Sequence, residues 1–211
     1  MVKTQHKHSS PFGAEIRPDG QVRFRLWAPD LTSVTLVLEP RGRETITLPL
    51  DSTGEGWFEV LSSVVGAGDR YRFRLPDGLE VPDPASRWQP EGVHGPSEIV
   101  DPLAYRWTAT NWQGRPWEEL VLYELHVGTF TPQGTFAAAA EQLPRLADLG
   151  VTGIELMPVA AFPGKRNWGY DGVQPFAPAD SYGTPDDLKA LVDAIHAHGM
   201  AAMLDVVYNH F

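Results

Sequence analysis

Residues 184–207 read TPDDLKALVDAIHAHGMAAMLDVV, and this stretch decides the fold. Thr184 suits an N-cap and Pro185 the first helical position, while Asp186 and Asp187 set negative charge against the positive end of the helix dipole. Leu188, Leu191, Val192 and Ile195 recur at i, i+3, i+4 and i+7, the apolar stripe of an amphipathic helix, and Gly199 closes it. Ala201 to Val207 follows as a nearly unbroken apolar run, as expected of a strand buried on both faces.

Upstream, the same alternation repeats. Val121-Leu122-Tyr123-Glu124-Leu125-His126-Val127 and Gly153-Ile154-Glu155-Leu156-Met157 read as strands. Between them Thr135 to Leu149 reads as a helix with Phe136, Ala140, Leu143 and Ala147 on one face and Gly150 behind it. Pro144 lies inside that span and predicts a lost backbone bond and a kink. Apolar strands alternating with amphipathic helices predict a parallel sheet covered by helices, with chemistry gathered at the C-terminal strand ends. His126, the loop behind Met157-Pro158, and Tyr208-Asn209-His210 all map to that edge.

The N-terminal part has a different period. Val22 to Trp27 alternates apolar and charged residues, and Val34 to Leu38, Thr45 to Leu48, Trp57 to Val60 and Tyr71 to Leu75 follow with Gly and Pro breakers between them. Five such strands predict a small β-sandwich. From Val81 to about Glu119 the composition shifts to Pro, Gly and Trp, with Trp88, Trp107, Trp112 and Trp117 predicting an ordered segment.

The 211 residues carry 17 Lys plus Arg against 27 Asp plus Glu, a net charge of −10 that repels a phosphate backbone and disfavours nucleic acid or an anionic membrane as partner. There is no cysteine, which excludes disulfides, Cys-ligated zinc and thiol nucleophiles. Met1 to Ser10 is polar with no apolar core behind it, so no signal peptide is expected, and a cytoplasmic location follows as the default.

Lys165-Arg166-Asn167-Trp168-Gly169-Tyr170-Asp171-Gly172 places aromatics, cations and a carboxylate on one loop, a composition that can stack on and hydrogen-bond a sugar. A Gly-Tyr-Asp-Gly turn with Asp171 bonding its own backbone explains the same residues. Asp205, Asn209 and His210 end the last strand; they can face a ligand or be a solvated strand end, and they supply too few ligands for a metal. His196 and His198 read as last-turn cations, Asp186 and Asp187 as a capped helix start, and Glu124 and Glu155 as partners for inward-facing cations. No phosphate loop, Ser-His-Asp order or HExxH is present.

Asp205-Val206-Val207-Tyr208-Asn209-His210 resembles the first signature region of the α-amylase superfamily (glycoside hydrolase family 13), and Trp168-Gly169-Tyr170-Asp171 resembles the segment after its second barrel strand. Phe24-Arg25-Leu26-Trp27-Ala28-Pro29 with Val34 to Leu38 resembles the sandwich preceding the barrel in branching, debranching and trehalose-forming members. Pro82 to Pro96 and Tyr123 to Thr131 are most similar to members that release trehalose from maltooligosyltrehalose. The resemblance runs from about Phe12 to the end of the sequence. It implies an immunoglobulin-like, carbohydrate-binding-module-like β-sandwich over 1–100, a Trp/Pro-rich ordered connector over 101–119, and an incomplete (β/α)8 barrel over 120–211.

What it implies chemically is a retaining glycosidase acting on an α-1,4-glucan or maltooligosyltrehalose, with no cofactor and no metal. Tyr170 would stack under a sugar, Asp171 and His210 would bond its hydroxyls, Trp168 would join them, and Asp205 would brace the site. Asn209 matches a calcium ligand of many α-amylases, though the trehalose-releasing members are not expected to need calcium. Residues 120–211 suffice for about three of eight strand–helix units. The superfamily's three catalytic carboxylates follow the fourth, fifth and seventh strands, so no catalytic residue is expected in this chain and the chain alone is predicted inactive. Branching or debranching, or a non-catalytic glucan-binding piece, are the other readings.

Overall fold

The computed structural model describes residues 11–209. The polar stretch read as no secretion signal, Met1–Ser10, and His210 lie outside them. The chain divides into two compact units. One runs through Ser86 and resumes over Pro96–Ala104; the other comprises Arg87–Gly95 and the chain from Tyr105 onward.

The first unit is an antiparallel β-sandwich. Its strands are β1 (Gly13–Ile16), β2 (Val22–Trp27), β3 (Thr35–Glu39), β4 (Ile46–Pro49), β5 (Asp51–Gly54), β6 (Trp57–Ser62), β7 (Arg70–Arg74), β8 (Glu80–Val81) and β9 (Ser97–Glu98). One sheet has the order β1-β2-β6-β5, the other β4-β3-β7-β8 with β9 also on β7. Alternation decides which residues go inside: Val22, Phe24 and Leu26 of β2 meet Leu36, Leu38, Tyr71 and Phe73 in one core. The residues between them face outward, where Arg23 pairs with Glu15 at 2.9 Å and the Arg25 guanidinium lies 4.4 Å over the Trp57 ring. Four strands beyond the five expected are present, β1, β5, β8 and β9. β5 is exposed at all four positions and β8 and β9 are two residues each, so none carries the apolar alternation that marks a strand.

A buried polar contact ties the segment after β8 to this core. The Tyr71 hydroxyl donates to Asp83 Oδ2 at 2.7 Å, Ala85 N–H donates to Oδ1 at 2.8 Å, and Asp83 N–H donates to Ser97 Oγ at 3.0 Å. Asp83 and Ser97 are fully buried. Tyr71→Phe removes one donor to a buried carboxylate and is expected to cost about 1.5–3 kcal/mol, read as a lowered urea midpoint at unchanged slope.

In the second unit β10 (Leu122–Leu125), β11 (Gly153–Leu156) and β14 (Ala201–Leu204) form a parallel sheet. Leu122, Gly153 and Ala201 stand side by side, as do Leu125, Leu156 and Leu204. Leu125, Ile154 and Leu156 are buried against Phe136, Leu143, Leu146, Leu191 and Ile195 of the covering helices. The first strand is shorter than its apolar run because the chain turns at His126 into a one-turn helix, α1 (Val127–Phe130). The last ends at Leu204, although Asp205 N–H still donates to Leu156 O at 2.9 Å.

The helix expected over 135–149 is two helices, α2 (Phe136–Ala140) and α3 (Leu143–Asp148). Pro144 explains the break: it sits in the first turn of α3, where its missing N–H has no intrahelical partner to lose. A short antiparallel hairpin, β12 (Ala160–Ala161) and β13 (Gln174–Pro178), fills what reads in sequence as loop; its irregular register and the two prolines of β13 hide it. α4 (Pro185–Ala197) follows its expected limits, with a capping box in which Thr184 Oγ1 accepts from Asp187 N–H and Asp187 accepts from Thr184 N–H.

Asp193, on α4, holds the segment from Tyr105. Its carboxylate accepts from Tyr105 Oη at 3.2 Å and from Thr108 N, Thr108 Oγ1 and Ala109 N at 2.8 Å each. Trp112 stacks on His196 at 4.8 Å, and Arg115 Nε donates to Gly199 O. His196 is therefore no free last-turn cation: burial lowers its pKa, partly opposed by Asp193. Burial alone would raise the Asp193 pKa, but the Ala109, Thr108 and Tyr105 donors outweigh it and hold the carboxyl below its ordinary value. A depressed native pKa stabilises the fold above the unfolded carboxylate range, about pH 4, and that contribution fades as pH falls through the native value. Asp193→Asn turns an amide toward these donors; a loss of about 2–3 kcal/mol is expected at pH 7, narrowing at pH 3, by urea unfolding at both.

Candidate active site edge

The parallel register sends the chain out of β10, β11 and β14 at the same end, so the segments that follow them gather there. After β10 comes His126. Its Nε2 lies 2.7 Å from the backbone carbonyl of Asn167, and since a carbonyl only accepts, Nε2 carries the proton. Nδ1 lies 3.3 Å from Thr129 Oγ1, and the Tyr182 hydroxyl lies 3.3 Å from Nε2. Tyr182 is buried, which raises its pKa and keeps it a neutral phenol, and its ring packs against Phe136 and Phe162.

After β11 comes the aromatic loop. Asn167 Oδ1 accepts from Gly169 N–H, and Asn167 Nδ2 donates to Asp171 Oδ2 at 3.2 Å. The local turn expected of Asp171 is thus made by Asn167, two residues before Gly169. Trp168 is 83% exposed, Tyr170 44%, and Asp171 is exposed. Gly169 has φ of +105°, and a Cβ there would stand 3.1 Å from Pro158 Cδ.

After β14 come Asp205, Tyr208 and Asn209. Asp205 is half-buried, and among the described residues no donor reaches its carboxylate, so the bracing bonds expected of it are not seen there. Tyr208 and Asn209 are exposed; His210 is outside the described residues. The polar residues divide between two clefts. Asp205 and Tyr208 line one of about 140 Å³ with Gly169, Gly172 and Phe176. His126, Lys165, Arg166, Trp168 and Tyr182 line another of about 340 Å³. Tyr170 and Asp171 line neither. Glu124 and Glu155 are neighbours in register, and among the described residues neither has the cationic partner expected of it.

This arrangement matches known proteins. Residues 52–211 match the family model "Alpha amylase, catalytic domain", and residues 11–88 match "Carbohydrate-binding module 48 (Isoamylase N-terminal domain)". The chain belongs to the α-amylase family. It is 50% identical over 210 residues to the malto-oligosyltrehalose trehalohydrolase of Deinococcus radiodurans, covering 99% of this chain and 34% of that protein. To the Saccharolobus solfataricus malto-oligosyltrehalose trehalohydrolase it is 48% identical, over 94% of this chain and 34% of the relative. A crystal structure of a putative α-amylase from Salmonella typhimurium superposes with a TM-score of 0.92 at 51% identity, over 97% of this chain and 34% of that one. The chain spans about a third of the length of these relatives. Among the described residues no helix is long and apolar enough to cross a membrane.

Sequence reasoning placed Trp168, Tyr170, Asp171 and Asp205 near this edge but missed Asn167 and Tyr182 as its anchors. The only signal for Asn167 was its place two residues before a glycine. Gly169→Ala forces a side chain into a left-handed backbone and against Pro158; a cost of about 1–3 kcal/mol is expected, measured by urea unfolding.

Proposed function

We propose that the chain carries the sandwich and the first three strands of the (β/α)8 barrel of a retaining glycoside hydrolase that releases trehalose from maltooligosyltrehalose. One observation supports this most. The Trp168–Asp171 loop and the Asp205–Asn209 segment come to one sheet edge, in a chain half identical to a trehalohydrolase. Tyr170 offers a ring face to a sugar, and the Asp171 oxygen that Asn167 does not hold accepts from a hydroxyl. Trp168 adds a second ring, and His210 a further hydrogen-bonding group. Asp205 and Asn209, at the end of the third strand, would support the site once a sugar or the rest of the barrel meets them. The enzyme would work in the cytoplasm on a neutral glucan, with no metal or cofactor.

Cleavage in a retaining enzyme takes a carboxylate nucleophile and a carboxylic acid on either side of the glycosidic bond. By the family resemblance those groups would follow the fourth and fifth strands, and the part of the described edge would be to bind and orient the sugar. The polypeptide encoded by the complete reading frame is expected to release trehalose from maltooligosyltrehalose, measured by product chromatography, and residues 1–211 alone are expected to release none. Asp171→Ala and Tyr170→Ala should each lower kcat/KM by about ten- to a hundredfold. Branch formation or branch-point cleavage without trehalose would point instead to a branching or debranching enzyme.

A further inference from the structure

We infer that His126 and Asn167 are positioning residues that set the orientation of Asp171, an inference that rests on the reading of Asp171 as a sugar-binding carboxylate. Asn167 is fastened at three points. Its carbonyl accepts from His126 Nε2–H at 2.7 Å, its Oδ1 accepts from Gly169 N–H, and its Nδ2 donates to Asp171 Oδ2 at 3.2 Å. The amide orientation is settled by chemistry: Gly169 N–H can only donate and an ionised Asp171 can only accept. One oxygen of Asp171 is thereby held by the protein, and among the described residues the other has no partner and is open to a ligand.

The other end of this chain of contacts reaches the core. Tyr182, 3% exposed, touches His126 edge-on with ring centroids 5.9 Å apart. Gly128 lets the α1 turn close over both rings; a Cβ there would lie 2.9 Å from Tyr182 Cε1 and 3.0 Å from His126 Cε1. The path therefore runs from Phe136 and Phe162 through Tyr182 and His126 to Asn167 and Asp171. It joins α2, the approach to α4 and the turn after β10 to the β12–β13 loop, crossing to that loop through the Asn167 backbone carbonyl. An exposed loop gains the geometry of a rigid element, which is what orienting a substrate hydroxyl requires.

The test uses the polypeptide from the complete reading frame, assayed on maltooligosyltrehalose, with thermal midpoints measured alongside. Asn167→Asp keeps the acceptor for Gly169 but sets an anion against Asp171; His126→Ala removes the clamp; His126→Gln restores an N–H that can reach the Asn167 carbonyl. Asn167→Asp and His126→Ala are expected to lower kcat/KM by about ten- to a hundredfold through KM. The thermal midpoint of Asn167→Asp should stay at the wild-type value, and His126→Gln should recover most of the loss. In an Asp171→Ala background Asn167→Asp should add no further loss. If Asp171→Ala is impaired while Asn167→Asp and His126→Ala behave as wild type, the positioning role is overturned alone. The same holds if Asn167→Asp is equally damaging without Asp171. If Asp171→Ala itself behaves as wild type, the reading of Asp171 falls and the positioning role falls with it. Should His126→Ala fail to fold, Asn167→Asp and the double variant decide the outcome.

Discussion

The parallel pairing of β10, β11 and β14 is the constraint on which the second unit depends. Strands running the same way must be joined by crossovers, so each strand end is followed by a long excursion before the next begins. Those excursions supply α2, α3 and α4, which cover one face and bury Leu125, Ile154 and Leu156. They also bring His126, the Asn167–Asp171 loop and Asp205 to a common edge from positions separated by tens of residues. The long-range contacts at the candidate site, His126 to Asn167 and to Tyr182, are a consequence of that arrangement.

What was legible in the sequence was whatever a residue does with its near neighbours. The Thr184–Asp187 capping box, Pro185 and the Leu188–Ile195 stripe mark α4 because each acts within one or two turns. The strand cores were legible for the same reason. The break before α3 escaped because the apolar face runs through it; Pro144 announced it but reads equally as a kink. β12 and β13 escaped because their pairing is short, irregular and rich in proline.

The site was legible in composition but not in its wiring. Trp168, Tyr170 and Asp171 are conspicuous together, whereas the contact that pins them joins His126 to Asn167 across 41 residues. Nothing local to His126 distinguishes it from a solvated strand end. Asp193 is the extreme case: inside a well-formed amphipathic helix it reads as an ordinary polar position, yet it is buried and accepts four hydrogen bonds from a segment more than eighty residues earlier.

That separation has a bearing on how the chain is made. The donors on Tyr105, Thr108 and Ala109 emerge from the ribosome 84 to 88 residues before the carboxylate that receives them. At ordinary synthesis rates the wait is roughly 4 to 17 s. Through that interval residues 105–115 have neither Asp193 nor the His196 ring to settle on, and Trp112 lacks the ring it stacks against. The bonds that hold this segment therefore form only once α4 has been made, whatever the segment itself encodes.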